Sequence, residues 1–350
     1  MKRIAILLAL MVASGLAANR TLAALQSHPT AAALVNTTSP QVRLPGTIYV
    51  SQEGSIYAIS GSSIRRLALP SGGNWTQPRV MADGTLLVIR RFDASSDLYH
   101  VSASGRVLNR LTSNDTSTSN QTIQLDHWIL WPSISPDGTQ VFFATDAPKP
   151  APNQSYEVDF SLWAAPLGAA FTVTDGGVNG ATRWSVPDMY TGGDIEPVPL
   201  SNGSLLYSSY ANTGKGTVVT VLGLQASPNS RMHSLTTPQQ DCGAPAVASD
   251  GVTVAMVCTN SGQTANLEVA TLAGDSLGPA RVVVANCLCN SPSWSASGDN
   301  LLYMNAPDTN GNFGLWYVAN AGGAHPGAAR RVTDASVDLD ATSAAAWSSR

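Results

Sequence analysis

The chain is poor in charge. Only 12% of its 350 residues are Asp, Glu, Lys or Arg, about half of the roughly 25% usual in soluble domains. Lysine is nearly missing, with Lys2, Lys149 and Lys215 the whole set. The net charge is −4, and no basic stripe is present, so a nucleic-acid partner is not expected. Long apolar runs are missing too. The best candidate, Ile4 to about Ala13, is shorter than the ~20 residues needed to cross a bilayer. A helical hydrophobic period is absent after that run, which argues against α and α/β folds. Of the histidines His28, His100, His127, His233 and His325, no two stand at metal-ligand spacing. There is no G-x-S-x-G nucleophile elbow and no phosphate cradle. Asp308-Thr309-Asn310-Gly311-Asn312 has Phe313 where a calcium loop needs Gly, and reads as a hairpin turn. No catalytic residue, metal or cofactor is therefore assigned.

What is present begins with an export signal. Lys2-Arg3 form a basic start, Ile4 to about Ala13 an apolar centre, and small residues near Ala17 or Ala23 a cleavage region. Residues 1–23 are expected to be removed, leaving no membrane span. That removes three of 19 basic residues and none of the 23 acidic ones, for a mature net charge of −7. Residues 24–45, rich in Thr, Ser, Pro and Ala, read as a flexible linker, and 46–350 as one domain.

Within that domain one pattern recurs six times, a Pro six residues before a turn Gly and then a strand. The copies are Pro78…Asp83-Gly84, Pro132…Asp137-Gly138, Pro197…Asn202-Gly203, Pro245…Asp250-Gly251 and Pro292…Gly298, with a truncated copy at Ala345-Ala346-Trp347. A repeat of roughly 50 residues made of short strands predicts a radial array of four-stranded sheets. Each unit continues with a third strand such as Ile56-Tyr57, Leu98-Tyr99, Leu162-Trp163 or Leu315-Trp316. A fourth strand ends in Leu/Val-Thr, as in Leu111-Thr112, Val173-Thr174, Leu235-Thr236 and Val332-Thr333. Residues 343–348 match a first strand and Gly46–Val50 a second, so the C-terminus is expected to complete the N-terminal blade and close the ring.

Trp131-Pro132-Ser133-Ile134-Ser135-Pro136-Asp137-Gly138 and Pro292-Ser293-Trp294-Ser295 resemble the WD40-like (PD40) repeat of TolB-type propellers. The resemblance covers about residues 46–350. It implies an all-β, six-bladed β-propeller, a bacterial origin and a protein-binding role. With only residues 24–45 between the signal and the first strand, the α/β domain that precedes the propeller in TolB is not expected here.

Strand order puts the long segments 113–131, 145–160, 176–196, 305–314 and 335–344 on one face, with tight turns on the other. Long loops on a rigid scaffold are where binding concentrates. Two of them carry aromatic and acidic side chains, so Trp75, Asp126, His127, Trp128, Trp131, Trp184, Tyr190, Asp194 and Glu196 are the candidate ligand-binding residues at the channel mouth. Such a mouth suits a protein or a carbohydrate. The structural alternative is that the Trp rings fill gaps between blades and the acids cap turns. Cys242, Cys258, Cys287 and Cys289 are expected on the same face as disulfides, with 242–258 plus 287–289 and 242–289 plus 258–287 both fitting. The sequence thus points to an exported (secreted, periplasmic or envelope-associated), monomeric, non-enzymatic binding module. The competing expectation is a glycan hydrolase or lyase using His127 and Asp126 at the same mouth.

Overall fold

The structure, a computed structural model, describes residues 42, 44–114, 127–149, 159–213, 217–259 and 264–349. The expected signal peptide and most of the linker lie outside them, as does Asp126. Every described element is a strand, and none is a helix. The first sheet has the order Ala346–Ser348, Thr47–Gln52, Ser55–Ser60, Ser63–Arg66. The second runs Asn74–Val80, Leu86–Arg91, Ser96–Val101, Val107–Arg110. The third is Ile129–Ile134, Gln140–Thr145, Ser161–Pro166, Thr182–Arg183, and the fourth Asp194–Pro199, Leu205–Asn212, Val218–Gln225, His233–Ser234. The remaining residues form one eight-stranded sheet from Cys242–Val247 to Arg330–Arg331. The 14-residue strand Arg281–Trp294 lies in its middle and pairs through its first half with Ala265–Ala273 and through its second with Leu301–Ala306.

The repeated Asp/Asn-Gly pairs make the tight turns. Gly84, Gly138, Gly203 and Gly251 have φ between 71° and 85°, a conformation that only Gly enters without steric cost. The preceding side chain holds each turn, as where Thr85 N donates to Asp83 Oδ1 at 2.9 Å and Ser204 N to Asn202 Oδ1 at 3.0 Å.

The repeated Pro has a different task. It follows a residue in the left-handed region in five inner strands: Gln77 (φ 51°), Trp131 (51°), Glu196 (56°), Ala244 (50°) and Ser291 (52°). At each of these sites the pairing register slips, between Thr76 and Arg79, Leu130 and Ser133, Ile195 and Val198, Gly243 and Ala246, and Asn290 and Ser293. Proline has no N–H to give the ladder, and a bulge is where a strand tolerates that loss.

The outer edge also follows the sequence, with one exception. Thr112, Thr236 and Thr333 accept through Oγ1 from the amides of Leu98, Leu222 and Leu315 at 2.9–3.0 Å, extending the ladder by a side chain. In the third sheet the expected Val173-Thr174 does not do this. Ser185 Oγ takes the amide of Leu162 at 3.0 Å instead. Thr172–Thr174 pairs locally with Gly177–Asn179 as a two-stranded hairpin. That hairpin folds over Trp163, whose ring would lie 2.8 Å from a Cβ at Gly177. A large aromatic on the third strand thus draws a cover over itself and displaces the edge strand onward along the chain.

The core lies between neighbouring sheets. Leu87, Leu98, Ile129 and Phe143 bridge the second and third sheets, and Ile48, Leu302, Leu315 and Trp347 join the C-terminal strands to the N-terminal sheet. Trp347 pairs with Ile48 across the antiparallel ladder, and its Nε1 donates to Pro45 O at 2.6 Å. Leu44, placed by sequence in the linker, is buried in this cluster. We expect Trp347→Ala to cost about 3–5 kcal/mol in urea denaturation and deletion of residues 341–350 to unfold the first sheet. An unchanged midpoint for the deletion would show that the terminal strand bears no part of the stability.

Candidate functional site

A cavity of about 370 Å³ lies where the inner strands converge. Arg79, Trp131, Glu196, Ala244, Ser291 and Ala345 contribute to its wall, one from each inner strand or, in the last case, the segment leading into Ala346–Ser348. Its lining runs from the bulge residues toward the tight turns at Ser249 and Ala296. Of the long-loop segments, only Thr342 and Ala344 of 335–344, besides Trp131 and Glu196 at the ends of two others, take part.

The bulges wire neighbouring sheets together around this space. Gln77 N donates to Ser343 Oγ at 2.9 Å, and Trp131 N to Gln77 Oε1 at 2.6 Å. Ala244 N donates to Glu196 Oε2 at 3.0 Å and Ser208 Oγ at 2.9 Å. Ser291 Oγ donates to Ala341 O at 2.8 Å. Arg79 and Glu196 are the charged residues of the lining. Burial pushes the Glu196 carboxyl up, against the Ser208 and Ala244 hydrogen bonds and the Arg79 charge. Burial lowers the Arg79 guanidinium to about 10, Glu196 opposing, so it remains charged at neutral pH.

Of the sequence candidates, Trp131 and Glu196 therefore meet at one cavity. Trp75 is buried at the junction of the first two sheets, edge-on to Tyr99 and under the Arg90 guanidinium. Trp184 is also core. Its amide bonds to Leu162 O as that of Leu111 does to Leu98 O, so it holds the outer-strand position of Leu111, Leu235 and Val332. Both rings fill gaps between sheets. Trp128 lies under Arg91, 5.5 Å from the guanidinium carbon.

His127 is buried, with Nδ1 3.3 Å from Asp146 and Nε2 3.3 Å from Asp175. Lys149 lies 3.1 Å from the second oxygen of Asp146. The sequence pointed to Asp126 as the partner of His127. The structure supplies instead two carboxylates from the second-to-third and third-to-fourth strand regions, a pairing that spacing along the chain could not reveal. Among the described residues no group of three His, Cys, Asp or Glu is arranged to hold a metal ion.

Tyr190 stands on the surface with Val186 and Met189, the three exposed by 65%, 75% and 66%. The segment is not loose. The Asp159 carboxylate accepts from the amides of Tyr190, Thr191 and Gly192 at 2.8, 3.0 and 2.6 Å. The cysteines form Cys242–Cys258, which face each other in the ladder, and Cys287–Cys289 across the bend of the long strand. The first of the two pairings left open by the sequence is thus the one observed.

No protein-family model matches the chain, and no curated protein matches it in sequence. Solved structures do. TolB from Acinetobacter baumannii aligns with a TM-score of 0.60 at 15% identity, over 86% of this chain and 66% of that one. A TolB assignment from Agrobacterium tumefaciens aligns at 0.53 and 14%, over 82% of this chain and 88% of its own. The chain spans less than two thirds of the Acinetobacter protein, and at such identities the likeness establishes the fold. That fold is a TolB-like β-propeller.

Asp194 yields a prediction that depends on pH. It is buried at the inner-strand position held by Trp75, Ile129, Cys242 and Cys289 elsewhere, and burial raises its carboxyl to about 6 despite bonds from Ser209 and Ser185. The folded state thus holds this proton more tightly than the unfolded chain. Its stabilising effect is complete below pH ~4 and is lost as pH rises through about 6. Asp194→Asn should remove that loss, so that in urea denaturation the variant gains on the wild type between pH 4 and 7, by an order of ~3 kcal/mol. A constant difference across that range would refute the assignment.

Proposed function

We propose that the chain is an exported, monomeric, six-bladed β-propeller that acts as a non-enzymatic binding module, with a protein partner taken on its long-loop face. The six-blade count is supported by reading the eight-stranded sheet as two four-stranded units that share Arg281–Trp294, added to four separate four-stranded sheets. Closure of the ring is supported by the pairing of Ala346–Ser348 with Thr47–Gln52. Removal of residues 1–23, a linker over 24–45 and a propeller over 46–350 complete this reading. The two disulfides favour an oxidising compartment, outside the cell or in the periplasm.

The observation that carries the binding role is the segment Val186–Tyr190. Three of the six most exposed large apolar side chains of the described residues stand within five positions there. Large apolar groups gathered at one surface point mark an interaction site when their backbone is fixed, because little ordering entropy remains to be lost on binding. Asp159 fixes the C-terminal end of this segment at Tyr190, and Thr191 Oγ1 donates back into it, to Asp188 O, at 2.8 Å. A carbohydrate would use the same exposed surface, with the Tyr190 ring as its aromatic platform. The hydrolase or lyase reading has weaker support, since both His127 nitrogens face carboxylates and only 4% of its side chain is exposed.

A photocrosslinking residue placed at Met189 in the exporting host should give a discrete adduct, and one placed at Val252, beside a tight turn, should not. Replacing Met189 and Tyr190 together by Ala should weaken that partner by about 30-fold or more while stability stays within about 0.5 kcal/mol. Equal labelling from both positions, or an adduct indifferent to the double substitution, would remove the proposed surface.

A further inference from the structure

The cavity on the channel axis has two charges of opposite sign and walls of Ala, Val, Pro, Ser and Trp. Arg79 and Glu196 come from the second and fourth sheets, and neither belongs to any of the four ion pairs among the described residues. Each is half committed to the protein. Glu196 Oε2 accepts from Ser208 and Ala244, while Oε1 meets no donor among the described residues. Arg79 Nη1 donates to Pro78 O at 3.0 Å and Ala344 O at 3.4 Å, while Nη2 and Nε meet no acceptor among the described residues. The two charges attract across the cavity, but without an ion-pair contact each keeps much of the cost of lost hydration.

The possible occupants can be sorted by charge. An anion would satisfy Arg79 and meet Glu196. A cation would do the reverse, and an apolar ligand would leave both unpaired. A molecule that brings an ammonium and a carboxylate together satisfies both. The volume of about 370 Å³ sits at the small end of ligand cavities, which run from roughly 300 to 1,000 Å³. Both groups are also placed by the bulge: Glu196 is itself the left-handed residue (φ 56°), and Arg79 follows Gln77-Pro78. Their positions are thus set by the backbone and not by flexible loops.

We propose that this cavity binds a small zwitterion of α-amino-acid or dipeptide size, its ammonium at Glu196 Oε1 and its carboxylate at the free edge of the Arg79 guanidinium. The proposal rests on the binding-module reading, but its site is separate from Val186–Tyr190, so that the two can fail independently. The test is calorimetric titration of the full chain with the standard α-amino acids and simple dipeptides, each beside its N-acetylated and C-amidated form. At least one uncapped compound should bind saturably at millimolar concentration or below. Capping either end should weaken it about 30-fold or more, the loss expected when one partner of a buried charge pair is removed. Glu196→Gln keeps the shape and an acceptor for Ser208 and Ala244, and should reproduce that loss with an unchanged melting temperature. Arg79→Met should do the same. If that variant fails to fold, the capped compounds on the unaltered protein decide the matter. No saturable heat from any compound, capped and uncapped forms binding alike, or undiminished binding by Glu196→Gln would each overturn the proposal. The Met189 adduct would be untouched by any of these results.

Discussion

A proline on an inner strand leaves a sheet one donor short, and the residue before it is forced out of the ladder. In this protein that defect is repeated at Pro78, Pro132, Pro197, Pro245 and Pro292, and it joins the sheets to one another. The displaced amides of Gln77, Trp131 and Ala244 point away from their own sheets and find Ser343, Gln77 and Glu196 in the preceding ones. Where no such bond occurs, something else bridges the gap. Between the third and fourth sheets it is the Phe160–Gly193 bridge. Within the eight-stranded sheet it is the shared strand, along with Trp294 Nε1 donating to Ala246 O at 3.1 Å. Left-handed backbone at a non-Gly residue costs on the order of 1–3 kcal/mol and persists only where the surroundings hold it. Here each site is held by its own sheet, by the proline and by the neighbour.

The same device separates the places where chemistry can occur. Because the bulge residues face the space where the inner strands converge, that cavity is lined mainly by inner strands. The loop side carries the Asp159-pinned apolar segment, the buried His127 cluster and both disulfides. The channel carries Arg79 and Glu196. Cys242–Cys258 ties two paired strands and Cys287–Cys289 the bend of the long strand, so the covalent reinforcement falls where one strand must serve two units.

Much of the fold could be read from the chain because its signals are local. Asp-Gly turns, the Leu-aromatic third strand and the Thr-ended fourth strand each depend on a few adjacent residues. Even the pairing of the last strand with the first could be seen, since Ala346-Trp347 repeats a first strand and Gly46–Val50 a second. The third fourth-strand was misplaced because Val173-Thr174 and Trp184-Ser185 both fit the pattern, and only the Trp163 ring, a tertiary neighbour, discriminates. The site was less legible for the same reason. Trp75 and Trp184 look like rim aromatics in sequence, yet each occupies a column that other sheets fill mostly with Ile, Leu, Val or Cys. Arg79 stands immediately after a repeat proline, but only the bulge geometry, which strand patterning does not encode, turns it toward the cavity. Asp146 and Asp175 reach His127 from regions 19 and 48 positions away.

The scarcity of charge acquires a physical meaning at this point. Junctions between and within sheets are made by short hydroxyls and amides: Ser343 with Ser51 at 2.7 Å, Ser96 with Ile129, Ser208 with Ala244, and Thr112, Thr236, Thr333 and Ser185 at the outer edges. A hydroxyl gives and accepts in one small group, and its desolvation is far cheaper than that of a carboxylate or ammonium. Sheets packed face to face have no room for hydrated charges along their seams, so a packing requirement alone would empty them. Against that background the few buried ionisable groups stand out. Asp97 is answered by Arg110 and Asp146 by Lys149 and His127. Asp194 is answered by hydroxyls and a raised proton affinity. Arg79 and Glu196, in the cavity, are a pair whose second halves meet no partner among the described residues, and a seam-packing requirement does not explain why they are charged at all.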